Sequence, residues 1–494
     1  MADNAVRRSL QPTSYRQCIY TAPTDTAAGL AALVSALSVL SGVFGNTVAH
    51  RALAGVKRDV TPGKLRIVEN SGECETTPGV YQASGYADLD AENSMWFWFF
   101  EARENPETAP LTLWLQGGPG GSGLVGVFQE HGPCRVNNDT TSVSYNPFSW
   151  NNVSNMIYID QPIPTGFSQG NRNLNNSVDA AQDVWDFLQI LFADDRFSKF
   201  QSNDFGIWTE SYGGHYGPTF ARQFLDQNAR IANGSAEGVP VNLKMLGIGD
   251  GLTDPLTQYG SYFDYAQFNP YFPTADNDTL TSTNQSWIEP GGCRDEISNC
   301  YATSNSQICA TAQFDCDAEV AHRLVGDQDE DYILSGFDDT YPPDITAYAN
   351  DTERKARIGA EGSFGEVNSG VLFAFSGEWM QNSVPTLESV INEGVQTTLY
   401  VGDADYQLNY FGVEAMLDKM NTTVSDEWAK QEFSNFTVRG EPGGLFKNAG
   451  QLHYLRVFGA GHEVAAYKWG NLHRGEAALQ MFRQVLGNEA LHAT

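Results

Sequence analysis

The chain has 494 residues, 41% of them apolar, and sets 29 Lys and Arg against 60 Asp and Glu. A formal charge of −31 repels phosphate backbones and argues against nucleic-acid binding, while a mean hydropathy of −0.35 excludes a polytopic membrane protein. The length suits one large α/β domain with an insertion, or two to three ordinary domains.

Residues 28–45 form an uncharged apolar run, long for a signal-sequence core and short for a membrane span. Arg7, Arg8 and Arg16 precede it, and Val48 and Ala49 supply small residues before His50. A cleaved signal is the first reading, and an uncleaved anchor the second. Lys57 and Arg58 suit a dibasic processing site or a solvated pair equally. Residues 1–58 are therefore expected to be signal or anchor plus a short pro-region.

Two features beyond residue 50 support the secretory pathway. N-x-[ST] sequons begin at Asn138, Asn152, Asn175, Asn233, Asn277, Asn284, Asn350, Asn421 and Asn435, and none precedes the apolar run. Of seven cysteines, Cys18 lies ahead of that run, leaving an even six: Cys74, Cys134, Cys293, Cys300, Cys309 and Cys316. That count suits disulfides in an oxidising compartment. The last four cluster without a CxxC or a histidine, so zinc does not fit them. The expected location is extracellular, with a vacuole as the alternative.

Strand-like and helical runs alternate from residue 80 to 260. WFWFF (96–100) and LTLWL (111–115) read as strands joined by a turn around Asn105 and Pro106. MIYID (156–160), FGIWT (205–209) and LKMLGIG (243–249) are further strands. Val178, Ala181, Val184, Trp185, Leu188, Leu191 and Phe192 recur at helical spacing, with Asn176 or Ser177 as cap. The alternation predicts a largely parallel sheet with helices on its faces. Between about 260 and 385 the clustered cysteines, sequons such as Asn277 and Asn284, and many Asn, Asp, Ser and Thr suggest an inserted cap stapled by disulfides. TLYV (398–401) and YLRVF (454–458) then resume the strands, and the last 25 residues read as a helix. The expected layout is core over 59–259, cap over 260–385 and core over 386–494.

The sharpest chemical signal is FGIWTESYGG, where a strand runs straight into Ser211 between small residues. Such a turn resembles a nucleophile elbow, although Thr209 stands where Gly is usual. A serine nucleophile needs a base, and the base needs an orienting carboxylate. Asp403 and Asp405 follow TLYV, and His462 follows YLRVF, so all the candidates sit just past strands, in the order Ser, Asp, His. Singly, His462 reads as a surface histidine and Asp405 as a turn former; together the catalytic reading dominates. An oxyanion hole needs backbone donors. Tyr212 N–H is one candidate, and the Gly-rich loop in LWLQGGPGGSG (113–123) offers another. That loop lacks the GK[ST] ending of a phosphate-binding loop.

The stretches MWFWFFEAR, PLTLWLQGGPGGSG, FQEHGPC, NPFSWNNVSNMIYIDQP, TGFS, WTESYGGHY, GDGLTDP, YVGDADYQLNY and GAGHEV, in this order, resemble the serine carboxypeptidases, especially fungal secreted ones. The similarity runs from about residue 70 to the C-terminus. It implies an α/β-hydrolase fold with a cap insertion, Ser211 as nucleophile, His462 as base and Asp405, rather than Asp403, as its partner. It also implies Gly118 and Tyr212 as oxyanion-hole amides, and Gln116, Glu130 and Glu210 as the groups that bind a substrate's terminal carboxylate. Cys293–Cys316 and Cys300–Cys309 follow from the family's nested pattern, which leaves Cys74 and Cys134 for each other.

Three departures stand out. Gln116 replaces the usual Asn, Gly121 replaces a frequent Cys, and Glu463 and Ala465 replace the commoner Met and Pro after the histidine. The expected function is release of C-terminal amino acids from peptides at acidic pH through an acyl-enzyme, with no cofactor or metal. A pair of glutamates can hold a terminal carboxylate only if one keeps a proton, which sets the acidic range. The alternatives are acyl transfer or ester hydrolysis by the same triad, and a non-catalytic secreted binding protein.

Overall fold

The computed structural model describes residues 60–335 and 342–494. The apolar run at 28–45, the arginines before it, Cys18, residues 48–49 and the Lys57–Arg58 pair lie outside the described residues.

The strands are β1 (Lys64–Glu69), β2 (Gln82–Asp88), β3 (Ser94–Phe100), β4 (Leu111–Leu115), β5 (Cys134–Val136), β6 (Val143–Tyr145), β7 (Asn155–Ile159), β8 (Phe205–Glu210), β9 (Leu243–Gly249), β10 (Gln396–Gly402), β11 (Ser434–Val438), β12 (Glu441–Ala449) and β13 (Leu452–Val457). Strands β5 and β6 pair only with each other. The other eleven form one sheet in the order β1-β2-β3-β7-β4-β8-β9-β10-β13-β12-β11. Its six central strands, β7 to β13 in that order, run parallel. Both flanks are antiparallel.

The burial pattern follows from that layout. Every residue of β3, β4 and β7 is buried, as expected for strands covered on both faces. Trp96, Trp98, Trp114, Trp150 and Trp208 are among the largest fully enclosed side chains. At the far flank β11 and β12 mix exposed, half-buried and buried residues, as a sheet edge with one wetter face does. Strands β3 and β4, consecutive in sequence, are not neighbours: β7 separates them, antiparallel to β3 and parallel to β4.

Helix α1 (Ser177–Phe192) starts at Asn176, whose side chain accepts from Asp179 N–H. Val178, placed on the apolar face by periodicity, is 57% exposed. Helix α2 (Gly213–Ala232) contains Pro218, which cannot donate to the carbonyl of Gly214. Thr253 Oγ1 supplies that hydrogen bond instead, at 3.2 Å. Helix α3 (Pro255–Phe268) has Asp254 as cap and Pro at its first position.

Between β9 and β10 the described chain is helical or irregular, apart from one β-bridge between Gly121 and Val367. The insertion limits expected at 260 and 385 fall inside α3 and inside the helix Val384–Asn392. Cys293–Cys316 and Cys300–Cys309 tie the helices Cys293–Thr303 and Ser306–Cys316 together, and Cys74–Cys134 joins the start of the core to β5.

The C-terminal expectation is corrected. The helix covers only Glu476–Leu486 and ends at Gly487, followed by Asn488 at φ +55°. A left-handed residue cannot continue a helix. The tail then returns to the β11–β12 hairpin, with Leu491 N–H on Asn448 and Thr494 N–H on Thr437.

Candidate active site

Ser211 sits between the last residue of β8 and the first turn of α2, with φ +65°. A left-handed serine costs free energy unless its surroundings fix it. They do so here by close approach. A Cβ on Gly213 would lie 2.0 Å from Thr209 Oγ1, and one on Gly214 would lie 2.3 Å from the Leu252 carbonyl carbon. A Cβ on Gly117 would lie 2.4 Å from Glu210 O. Thr209 is accommodated because its hydroxyl turns onto Leu115 O at 2.8 Å. Ser211 N–H donates to Gly249 O, and Leu252 N–H to Ser211 O, which ties the elbow to the end of β9.

Asp405 and His462 follow β10 and β13, which are adjacent and parallel. His462 Nδ1 lies 3.0 Å from Asp405 Oδ2, and both residues are buried. Asp405 also receives Leu408 N–H at 3.3 Å. Asp403 points elsewhere: its Oδ1 accepts Tyr271 Oη at 2.5 Å and Gly459 N–H at 2.7 Å. The structure therefore puts Asp405, not Asp403, on the histidine.

Burial depresses the basicity of His462, but Asp405, Asp331 and Glu463 outweigh it and raise the imidazole to about 10. Burial also raises the carboxyls of Asp331 and Glu463. As pH falls these two become neutral and withdraw their support. The imidazole then has only Asp405 to offset its burial, and it releases its proton more readily. Asp331 and Glu463 thus favour the protonated imidazole while they are ionised, and cease to do so once they are neutral.

The Gly-rich loop reaches the elbow from β4. Asp160, after β7, anchors it through Ser122 Oγ at 2.5 Å and Gly123 N–H at 3.1 Å. Ser122 N–H donates to Glu366 O, and Asn368 N–H to Gly120 O, so the insertion holds the loop's outer side. Among the described residues, neither Gly118 N–H nor Tyr212 N–H donates to a backbone carbonyl. Two unused donors beside the serine are what a developing oxyanion requires.

A third cluster is a chain of polar contacts. Trp114 Nε1 donates to Gln116 Oε1 at 2.9 Å, and Gln116 Nε2 donates to Glu210 Oε1 at 2.9 Å. Glu210 hydrogen-bonds in turn to Glu130, which ends the π-turn Gly126–Glu130. Both glutamates are 1% exposed. Burial pushes Glu130 up to about 8; Glu210 is raised well above the usual carboxyl range by burial and then by Glu130. Two ionised carboxylates in contact are excluded, so one proton lies between them. Glu130 Oε1 and Glu210 Oε2 have no other donor. Arg135 supports the turn through the carbonyls of Glu130, Ala465 and Arg474. Gln116 is thus held at both ends, which fixes the longer side chain found here in place of Asn.

Sequence reasoning passed over Asp250, Asp331 and Glu378. Asp250 stands inside GDGLTDP, among the resembling stretches, with no role given to it. Glu378 accepts Ser177 N–H, Ser177 Oγ and Tyr212 Oη, joining the insertion to α1 and to the residue after the serine. Nothing in the local sequence signals that contact, 166 residues away from Tyr212.

The sequons divide by environment. Asn138, Asn175, Asn233, Asn277, Asn284, Asn421 and Asn435 are exposed. Asn152 donates to Pro147 O and accepts from Arg103, and Asn350 bonds Thr346 O and both backbone groups of Phe364.

Known proteins match this arrangement over most of its length. The family model described as serine carboxypeptidase matches residues 73–488. Carboxypeptidase S1 of Penicillium janthinellum is 38% identical over 432 residues, covering 86% of this chain and all of its own. Carboxypeptidase Y of Komagataella phaffii is 35% identical, covering 81% of this chain and 76% of its own. The solved structure of the prohormone-processing carboxypeptidase Kex1(Δ)p from Saccharomyces cerevisiae shares the fold, with a TM-score of 0.65 at 22% identity over 83% of this chain and 91% of its own. The fold is an α/β-hydrolase one, and the chain belongs to the serine carboxypeptidase family.

Proposed function

We propose that the enzyme removes C-terminal amino acids from peptides at acidic pH, with Ser211, His462 and Asp405 as its triad. Ser211 Oγ bonds to the last peptide carbonyl carbon while His462 takes the hydroxyl proton. Gly118 and Tyr212 amides hold the oxyanion. The C–N bond breaks as His462 passes that proton to the leaving nitrogen, and water then hydrolyses the acyl-enzyme. The observation that carries the exopeptidase reading is the buried, proton-sharing Glu130–Glu210 contact beside the elbow. A protonated carboxyl there donates to the substrate's terminal carboxylate, with Gln116 holding the pair in place.

The same proposal covers processing and location. Residues 28–45 act as a signal removed with the segment up to about residue 58, and the mature enzyme is extracellular. The seven exposed sequons are the glycan acceptors, whereas the engaged amides of Asn152 and Asn350 favour unmodified side chains. Support comes from the even set of paired cysteines. No helix among the described residues is long and apolar enough to cross a membrane.

The test uses a blocked dipeptide with a free C-terminus and its amide, assayed near pH 4.5 with wild type and Ser211→Ala. Free amino acid released by wild type alone, and much faster than from the amide, is the expected result. Cleavage of esters with no release from the dipeptide overturns it in favour of esterase or acyl transfer.

A further inference from the structure

Asp250 follows β9 directly and is fully enclosed, at φ +38°. Its N–H donates to Tyr400 O, and its Oδ1 accepts Gly402 N–H at 2.9 Å. The carboxyl therefore bridges the strand beside the elbow to the loop that carries Asp405. The Asp250 carboxyl also stands within hydrogen-bond reach of the Asp405 carboxyl, and its Oδ2 receives no donor.

We propose that Asp250 is a positioning residue for the triad: as a neutral carboxylic acid it donates a hydrogen bond to the Asp405 carboxylate. The inference rests on the reading of Asp405 and His462 as catalytic. Two carboxyls in contact without water cannot both be ionised. Asp405 keeps the negative charge, because His462 Nδ1 faces its Oδ2 and Leu408 N–H donates to it. The proton accordingly belongs to Asp250. Burial first, then Asp405, raise this carboxyl well above its ordinary range, while the Gly402 amide opposes them. The other ionisable groups acting on it are Glu463, Glu210 and the phenol of Tyr400. None of these is a cation that would favour an ionised Asp250.

The arrangement has a consequence for the reaction. Asp405 must hold the imidazole in one tautomer and one orientation. A donor behind the carboxylate fixes its rotation and leaves Oδ2 for the histidine. Asn at position 250 preserves both bonds, with its amide donating to Asp405 and its oxygen accepting from Gly402. Leu preserves neither.

The experiment compares wild type, Asp250→Asn and Asp250→Leu by the rate at which a neutral fluorophosphonate labels Ser211. That probe has no carboxylate, so Glu130 and Glu210 do not contribute. The Asn variant is expected to label within about threefold of wild type, and the Leu variant about 10- to 100-fold more slowly, matching a hydrogen bond to a charged group. The KM of the Leu variant for a blocked dipeptide should stay near that of wild type while kcat falls. The infrared spectrum of wild type minus that of Asp250→Asn should contain the carbonyl stretch of a protonated carboxylic acid, shifted in heavy water. Only carboxylate bands in that difference, or Asn labelling as slowly as Leu, overturns the proposal. The infrared comparison needs only the Asn variant, so it stands even if Asp250→Leu fails to fold. Labelling in the expected order without amino-acid release from peptides would support Asp250 while refuting the exopeptidase reading. Wild type that resists labelling refutes the triad and this proposal together.

Discussion

Two buried carboxyl pairs lie close to the strand ends that carry Ser211, Asp405 and His462, and they differ in how they are enclosed. Asp250–Asp405 is closed: backbone amides of Gly402 and Leu408 and the ring of His462 surround it. Glu130–Glu210 is held on one side only, by Gln116, and leaves one oxygen of each glutamate without a donor beyond the pair. Each contact holds one proton between two carboxyls. In the closed pair that proton fixes a carboxylate for the histidine. In the open pair it remains available to a ligand. The difference predicts that changes in the first pair alter kcat and changes in the second alter KM.

The largest expected effect is at Asp405. Asp405→Asn removes the anion and inverts the hydrogen bond to Nδ1, so kcat should fall by about 10³- to 10⁴-fold. The KM for a blocked dipeptide should stay within about threefold, since the glutamate pair is untouched. A fall in kcat below tenfold would mean that His462 is oriented by something other than Asp405.

The open pair gives the next effect, and its sign follows from Glu130. That carboxyl is raised to about 8, so below this pH it holds its proton and can donate. Above it, Glu130 ionises, and its charge repels a substrate carboxylate. KM for peptides should therefore climb as pH passes about 8, approaching tenfold per unit. In Glu130→Gln with Glu210→Gln there is no proton to lose, and KM should stay level over the same range. A wild-type KM independent of pH from about 5 to 9 breaks the contrast between the pairs.

How far each pair was legible follows from the same contrast. Ser211, Asp405 and His462 were readable because each sits just beyond a strand of apolar residues, and because parallel strands bring such ends together. The closed pair was half readable: Asp405 lies in a motif, but the contact with Asp250 joins loops 155 residues apart. The fold shows the same limit. Strands β8, β9, β10 and β13 stood out as apolar runs, whereas β11 and β12 did not. SNFTV and EPGGLFKNA mix polar residues, two glycines and Pro442 into a flank with one wet face. Their register shifts between Phe436 and Thr437, opposite Pro442 and Gly444, where a bulge tolerates the missing donor. The place of β7 between β3 and β4 depends on long-range pairing, which no local pattern encodes.

A smaller effect is expected at Gln116. Its amide carries one hydrogen bond to Glu210 and is held by Trp114. Gln116→Ala should raise KM about tenfold, the equivalent of one hydrogen bond near a charge, and leave kcat largely unchanged. An equal loss in kcat would place Gln116 with the serine rather than with the terminal carboxylate.

The smallest effect is on stability, and it compares the pairs directly. Glu130 and Asp250 both have carboxyls raised in the folded state, so the native protein binds protons that the unfolded chain releases. That contribution is complete below the unfolded value, near 4.5 for Glu130 and near 3.8 for Asp250, and is lost as pH rises through the folded value, about 8 for Glu130. Buried Asp160 and half-buried Asp317 and Glu366, each raised to about 7 first by loss of solvent, act in the same direction. The melting temperature should therefore fall from about pH 5 to 8, since each retained proton gives a slope of up to about 1.4 kcal/mol per pH unit. Glu130→Gln should flatten the curve up to pH 8. Asp250→Asn should flatten it as well, because burial and Asp405 raise that carboxyl in the folded state too. Identical slopes for both variants and wild type would mean that neither pair carries its proton in the folded enzyme, and the distinction between them would fall.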